Sequence, residues 1–292
     1  MGIGFRCAGS GGSRVYIDGD LQSLESIEIS SILTPIREPI WYGTVFSDAI
    51  VYEGELHFIN YQTNGEYQHW KFNGKRWALV ETHSISISSP FILNNVLYAA
   101  DLNWNLYRFT GSAWESMNKV LGYSEYAVCD NKLYYKLSIS GTTIKYQIRM
   151  YDGSNTYTLA ENAAFEQVAM GTIGNKVHIF AQDGKRYEVQ GQTISAGISL
   201  PTGYTDAYKR QCFSYNNKLR FVRLTANDQF VDFDGNSFGA AISINLGPNS
   251  ATICSSLSAI AYNDKIYGMI SSNCMMIELS EPIIKLGQYV TS

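Results

Sequence analysis

Charge is sparse in this chain and neither sign gathers anywhere: 22 basic and 26 acidic side chains are scattered through 292 residues without a block of either. A protein that holds nucleic acid needs a basic stripe to neutralise phosphates, so no nucleic-acid partner is expected. Cysteine is limited to Cys7, Cys129, Cys212, Cys254 and Cys274, an odd number with no C-x-x-C spacing. That pattern signals neither a disulfide framework nor a zinc site and fits free thiols in a reducing compartment. Long apolar runs are missing as well, since none approaches the roughly 18 residues a membrane-spanning helix needs. The N-terminal Met1-Gly2-Ile3-Gly4-Phe5-Arg6 shows no charged segment leading into an apolar run, and Arg6 stands where a myristoylation signal requires Ser or Thr. The expectation is a chain made in the cytoplasm without a signal peptide and without a membrane partner.

Catalytic signatures are equally scarce. The sequence contains no G-x-S-x-G, no H-E-x-x-H and no phosphate-cradling glycine loop. Gly9-Ser10-Gly11-Gly12 precedes a strand rather than a helix and reads as a flexible loop. The four histidines are His57, His69, His83 and His178, and two of them fall at repeat positions that Tyr98, Tyr134 and Tyr267 fill elsewhere. They are read as strand residues, not as ligands. Asp228, Asp232 and Asp234 ahead of Gly235 hint at a calcium loop, but Asp232 and Asp234 alternate with Val231 and Phe233 as in a strand. The bidentate acid expected downstream is missing. No catalytic residue, metal or cofactor is therefore expected.

What the chain does have is aromatic side chains, 13% of the total with 21 Tyr, which favour strands. It also has a repeat. A small polar turn followed by an alternating strand occurs at Glu53-Gly54-Glu55-Leu56, Asn94-Asn95-Val96-Leu97, Asp130-Asn131-Lys132-Leu133 and Gly174-Asn175-Lys176-Val177. It returns at Asn216-Asn217-Lys218-Leu219 and Asn263-Asp264-Lys265-Ile266. Between these copies lies a second motif, a strand ending in a glycine turn with a large residue just beyond. Its copies are Phe72-Asn73-Gly74 with Trp77, Phe109-Thr110-Gly111 with Trp114, and Tyr151-Asp152-Gly153 with Tyr157. Val189-Gln190-Gly191 with Ile194 and Phe233-Asp234-Gly235 with Phe238 continue the series. Two hairpin turns in about 42 residues mean four short strands per unit, which is one blade of a β-propeller.

The predicted fold is thus an all-β propeller of four-stranded blades, with residues 1–292 as one domain. Six units run from about residue 45 to 286, and Arg14-Val15-Tyr16-Ile17-Asp18-Gly19 matches the second motif once more. Seven blades is the preferred count, with Gly287–Ser292 supplying the strand that closes the ring and removes its exposed edges. Six blades with residues 1–44 as an attachment arm is the alternative. The recurring Trp77, Trp114, Tyr157 and Phe238 are expected between adjacent blades.

The turn, the Lys-Leu-Tyr strand and the aromatic-Asp-Gly-x-x-Trp motif resemble kelch-type propellers over nearly the whole chain. Kelch repeats carry two adjacent glycines after the second strand, where this chain reads Ile59-Asn60, Ala100-Asp101 and Lys136-Leu137. The Tyr-, Asn-, Ser- and Gly-rich texture is similar to bacterial and bacteriophage propellers, including those on tails and baseplates. That resemblance implies a virion protein among the other proteins of an assembly, with a host-surface glycan or protein as a further partner.

Propeller topology gathers the loops after second and fourth strands on one face. On this assignment the face carries Tyr61, Tyr67, Asn103, Trp104, Asn105, Tyr123, Tyr204 and Tyr208. Rings flanked by Asn suit carbohydrate or protein recognition, because they offer a large flat contact at low entropic cost. The functional expectation is a non-catalytic binding or structural propeller. A cytosolic kelch-like adaptor is the alternative, and a glycan-active enzyme follows it.

Overall fold

The computed structural model of the chain describes residues 4–6, 14–17, 20–23, 46–61, 66–75, 77–123, 125–209, 212–223, 229–243, 257–270 and 275–279. They fall into two compact units, Met1–Thr34 and Pro35–Ser292. In the first unit β1 (Gly4–Arg6), β2 (Arg14–Ile17) and β3 (Asp20–Ser23) pair in one antiparallel sheet. Among the described residues no helix is long and apolar enough to cross a membrane.

The second unit is a β-propeller. Its first blade is β4 (Phe46–Tyr52), β5 (Glu55–Tyr61), β6 (Tyr67–Phe72) and β7 (Trp77–His83). The second is β8 (Ile87–Leu93), β9 (Val96–Asp101), β10 (Asn105–Phe109) and β11 (Trp114–Val120), and the third is β12 (Tyr126–Cys129), β13 (Lys132–Ile139), β14 (Lys145–Tyr151) and β15 (Thr156–Glu161). The fourth runs β16 (Val168–Ile173), β17 (Lys176–Ala181), β18 (Lys185–Gln190) and β19 (Thr193–Ile194), with β20 (Ile198–Ser199) also on β18. The fifth is β21 (Cys212–Tyr215), β22 (Lys218–Arg223), β23 (Gln229–Phe233) and β24 (Phe238–Ser243). A three-stranded sheet follows: β25 (Leu257–Tyr262), β26 (Lys265–Ile270) and β27 (Met275–Leu279). The described residues thus hold five complete blades. Gly287–Ser292, expected to close a seven-blade ring, lie outside them.

The turn chemistry explains the hairpins. In the first hairpin of the second blade both Asn94 and Asn95 are left-handed (φ 49° and 60°), as are Asp130 and Asn131, Asn216 and Asn217, and Asn263 and Asp264 in theirs. Two successive left-handed residues make the tight turn whose twist matches the flanking strands, and Asn and Asp tolerate that conformation. Each turn delivers the next strand in one register. The anchors Leu56, Leu97, Leu133, Val177, Leu219 and Ile266 all start second strands, and all are buried.

Burial occurs between blades. One cluster joins Ile148 and Met150 of the third blade to Val177 and Ile179 of the fourth. Another joins Phe91 and Leu106 of the second to Leu133 and Tyr135 of the third. Phe180 of the fourth packs with Phe221 and Phe233 of the fifth. Trp77 packs beside Leu56, Phe58 and Phe72 with Tyr262 of the three-stranded sheet, and Trp114 joins the cluster between the first and second blades. The recurring large residues therefore sit in inter-blade cores, as their repetition predicts.

First strands neighbour one another in order: β4 lies on β8, β12 on β8 and β16, β21 on β16 and β25, and β25 in turn on β4. Hydrogen bonds near the first hairpins cross from blade to blade. The Tyr52 hydroxyl donates to Asn95 O (3.3 Å), the Asn94 N–H to Asn131 Oδ1 (3.3 Å), the Thr172 hydroxyl to Val128 O (2.9 Å) and the Ser214 hydroxyl to Thr172 O (2.9 Å). The Tyr262 hydroxyl donates to Gly54 O at 2.8 Å, joining residues 208 positions apart.

Gly74 and Gly153 turn the second hairpins of their blades at φ 91° and 98°, with no backbone crowding a would-be Cβ. Valine there is strained by the backbone conformation alone, so Gly74→Val and Gly153→Val should each lower stability by about 1–3 kcal/mol in urea denaturation. Unchanged midpoints for both would refute the turn assignment. Tyr262→Phe should lower it by about 1 kcal/mol, as loss of one hydrogen bond does.

Candidate functional site

Two places concentrate polar and aromatic groups. The first is the loop from β9 to β10. Asp101 ends its strand nearly buried, and its carboxylate organises the loop that follows. It accepts the backbone N–H of Asn103 and of Asn105 (both 2.9 Å) and the Asn105 side-chain amide (2.8 Å). The Trp104 N–H donates to Asp101 O at 2.9 Å, and Leu121 N–H donates to Trp104 O at 3.2 Å. These bonds hold Trp104 at φ 65°, a conformation a bulky residue adopts only when its surroundings over-determine it. Trp104 is 36% exposed, with Leu102 at 74% and Val120 at 62% nearby. The loop is therefore a rigid mount that presents one indole to solvent.

The other residues expected on this face are placed differently. Tyr123 is buried, with its hydroxyl donating to Ser89 O (2.8 Å), and it supports the Trp104 ring from below at 5.8 Å. It cannot touch a ligand there. Asn105 directs its amide to Asp101, whereas Asn103 stays exposed. Tyr67 stacks on His83 (6.0 Å, 10° between planes) and Tyr204 stacks flat on Phe238 (4.0 Å, 5°). Tyr61 ends β5 and Tyr208 lies in the 3-10 turn Ala207–Lys209, but their side chains are outside the described residues. Of the predicted group, the structure brings Trp104, Asn103, Asn105 and Tyr123 together around Asp101, which sequence reasoning missed.

The second place is the seam between the first and second blades. Alternation puts His57 and Ile59 of β5, Tyr67, His69 and Lys71 of β6, and Glu81 and His83 of β7 on one face of the sheet. His57 and His69 are buried and share a ring-nitrogen hydrogen bond of 2.9 Å, His57 Nδ1 to His69 Nε2. Across the seam, Phe109 meets His57 and His69 edge-on (6.0 and 4.7 Å), and Trp114 lies 5.5 Å from His69. Glu81 faces His69 in the strand register, and the Trp114 backbone N–H reaches its carboxylate.

Burial dominates the electrostatics. It lowers His57 to about 4, with Glu55 opposing and Lys71 assisting, and His69 to about 3, with His57, His83 and Lys71 adding repulsion. Burial also lowers His83 and raises Glu81, whose carboxylate the Trp114 N–H pulls back. At neutral pH His57 and His69 are uncharged, so their bond is a neutral N–H···N contact whose direction depends on the tautomers. Among the described residues no three His, Cys, Asp or Glu side chains converge as a metal site would require.

The fourth blade carries the same design at the same positions. His178 and Arg186 stand where the first blade has His57 and His69, and Phe233 stands where the second has Phe109. Arg186 reaches His178 Nδ1 (3.2 Å), Glu188 Oε1 (2.6 Å) and Gly235 O (2.6 Å), with its guanidinium 5.1 Å over Phe233. The repeat alignment could have exposed this seam, because it sets polar residues at positions that Leu106 and Ile148 fill in other blades.

No model of a known protein family matches the chain, and no curated protein matches it significantly. Solved structures do. An Aleuria aurantia lectin mutant, in complex with Fucalpha1-6GlcNAc, matches with a TM-score of 0.52 and 10% identity over 83% of this chain and 93% of the lectin. A second structure of that fungal lectin, described as a six-bladed β-propeller with a novel fucose recognition mode, matches at 0.51 and 11% identity over 80% and 90%. These likenesses establish a shared propeller fold.

The histidine pair makes stability depend on acid. Unfolded imidazoles titrate near 6.5, and the folded values of His57 and His69 lie at about 4 and about 3. Inside that window the unfolded chain binds more protons, so the contribution is complete above pH 6.5 and declines as pH falls. Between pH 7 and pH 5 each imidazole should cost on the order of 2 kcal/mol. His69→Leu, the residue type Leu106 supplies at this register, should flatten the decline in urea midpoints measured across that range.

Proposed function

We propose that this chain is a non-catalytic binding propeller of six blades whose loop face recognises glycan. The observation that carries the ligand class is Trp104, an indole held in solvent by a left-handed backbone and the Asp101 carboxylate. A rigid exposed ring binds without ordering cost, and the flat face of an indole suits the C–H face of a sugar. Asn103 beside it offers an exposed amide, which donates and accepts as hydroxyl groups do. The lectin likeness supports the architecture, and the ligand class rests on the loop.

Six blades is supported by the contact of β25 with β4 and by the Tyr262 bond to Gly54, which leave these sheets as direct neighbours. Trp104→Ala should reduce binding on a glycan array about tenfold or more, while its cost to stability in urea denaturation, from packing lost on Tyr123, stays at about 1–2 kcal/mol. Wild-type binding by that variant would remove the loop from the reading.

The same proposal sets the module on a phage tail or baseplate among other virion proteins, an assignment supported by sequence texture. Isolation from the native source followed by electron microscopy tests it. The protein should arrive within a particle, and a free monomer in host cytosol would overturn the assignment.

A further inference from the structure

The seams of the first and fourth blades occupy equivalent positions but differ in one respect. In the fourth, Arg186 is satisfied by His178, Glu188 and Gly235 O. In the first, buried polar atoms are left without partners: His69 Nδ1, Glu81 Oε1 and the Trp114 indole N–H, with both ring nitrogens of His83 further along the same sheet face. His69 itself is fully buried. Leaving such groups unmet costs about 1–3 kcal/mol each, so their collection at one seam calls for an occupant.

The three atoms belong together. Glu81 pairs across from His69 in the strand register, Trp114 lies 5.5 Å from His69, and the Trp114 backbone N–H reaches Glu81. Glu81 and Trp114 are only half-buried, on the outer strands β7 and β11, so the three atoms, themselves closed to solvent, lie beneath a partly exposed rim. We infer that this seam is a second ligand site, which takes the hydroxyl groups of a neutral saccharide residue between Glu81, His69 and the Trp114 indole. The inference shares its ligand class with the loop-face reading but uses none of its residues.

The chemistry selects that class. One orphan only donates (the indole N–H), one carboxylate oxygen only accepts when ionised, and one imidazole nitrogen does either according to tautomer. A hydroxyl group does both, so adjacent hydroxyls on one ring can meet all three. An anionic ligand would lie against Glu81, and a cationic one would meet the indole N–H. The aromatic walls formed by Trp114 and Phe109 complete a setting of a few convergent polar groups among rings.

The test titrates the full chain with methyl glycosides of fucose, galactose, mannose and N-acetylglucosamine, following the Trp indole N–H resonances by NMR. One glycoside should move the Trp114 signal in a saturable way. Glu81→Gln, nearly isosteric, should weaken that titration at least tenfold, and Trp114→Phe should abolish its indole signal and weaken binding similarly. Trp104→Ala should leave it intact. Binding lost in Trp104→Ala but unchanged in Glu81→Gln would overturn the seam site and spare the loop face. No shift of the Trp114 signal with any glycoside would overturn it as well, as would a crystal structure in which ordered water alone meets the three atoms at saturating sugar. Arg186→Leu, in the satisfied seam, serves as the control for structural damage and should leave the sugar titration unchanged.

Discussion

Each blade of this protein has two faces to hide, and it can hide them only against its two neighbours. A four-stranded sheet that is apolar on both sides is unstable alone, because it would leave rows of Leu, Phe and Tyr in water. The first blade shows the constraint: Leu56, Phe58 and Phe72 look toward Tyr262, while Ile59 looks toward Ile87 and Ala99. Stacking sheets around an axis meets that demand for every blade at once. The repeat and the antiparallel meanders both follow from it.

The same constraint makes polar seams conspicuous. Where a seam is filled by Leu and Tyr, as between the second and third blades, packing alone accounts for it. Where histidine, arginine and glutamate are placed in the seam, burial must be answered by partners. The fourth blade answers it internally through Arg186, and the first answers it only partly through the His57–His69 pair. Two seams of common design therefore differ: the fourth blade's is met through Arg186, and the first leaves His69 Nδ1, Glu81 Oε1 and the Trp114 indole N–H without a hydrogen-bond partner.

Much of the fold was legible because it is written in turn chemistry. Asn94-Asn95 and Asp130-Asn131 specify left-handed hairpins locally, and Leu97 and Leu133 follow at fixed offsets. The site was less legible, since exposure is a tertiary property. Tyr123 and Trp104 both read as loop aromatics, yet one is a floor and the other a projection; the difference lies in the Asp101 hydrogen bonds. His69 and Glu81 are twelve positions apart and ordinary in sequence, and only the pairing of β6 with β7 sets them face to face.

The bond from Tyr262 to Gly54 spans 208 positions, whereas the Tyr52–Asn95 and Thr172–Val128 bonds span 43 and 44. Adjacent blades can therefore find each other through short loops, but the three-stranded sheet and the first blade must meet across 208 positions. Loop-closure entropy makes that meeting the most demanding step of assembly, and it should come after the others. The sheets thus have a clasp where β25 meets β4, a join at which chain connectivity does nothing to hold the neighbours together.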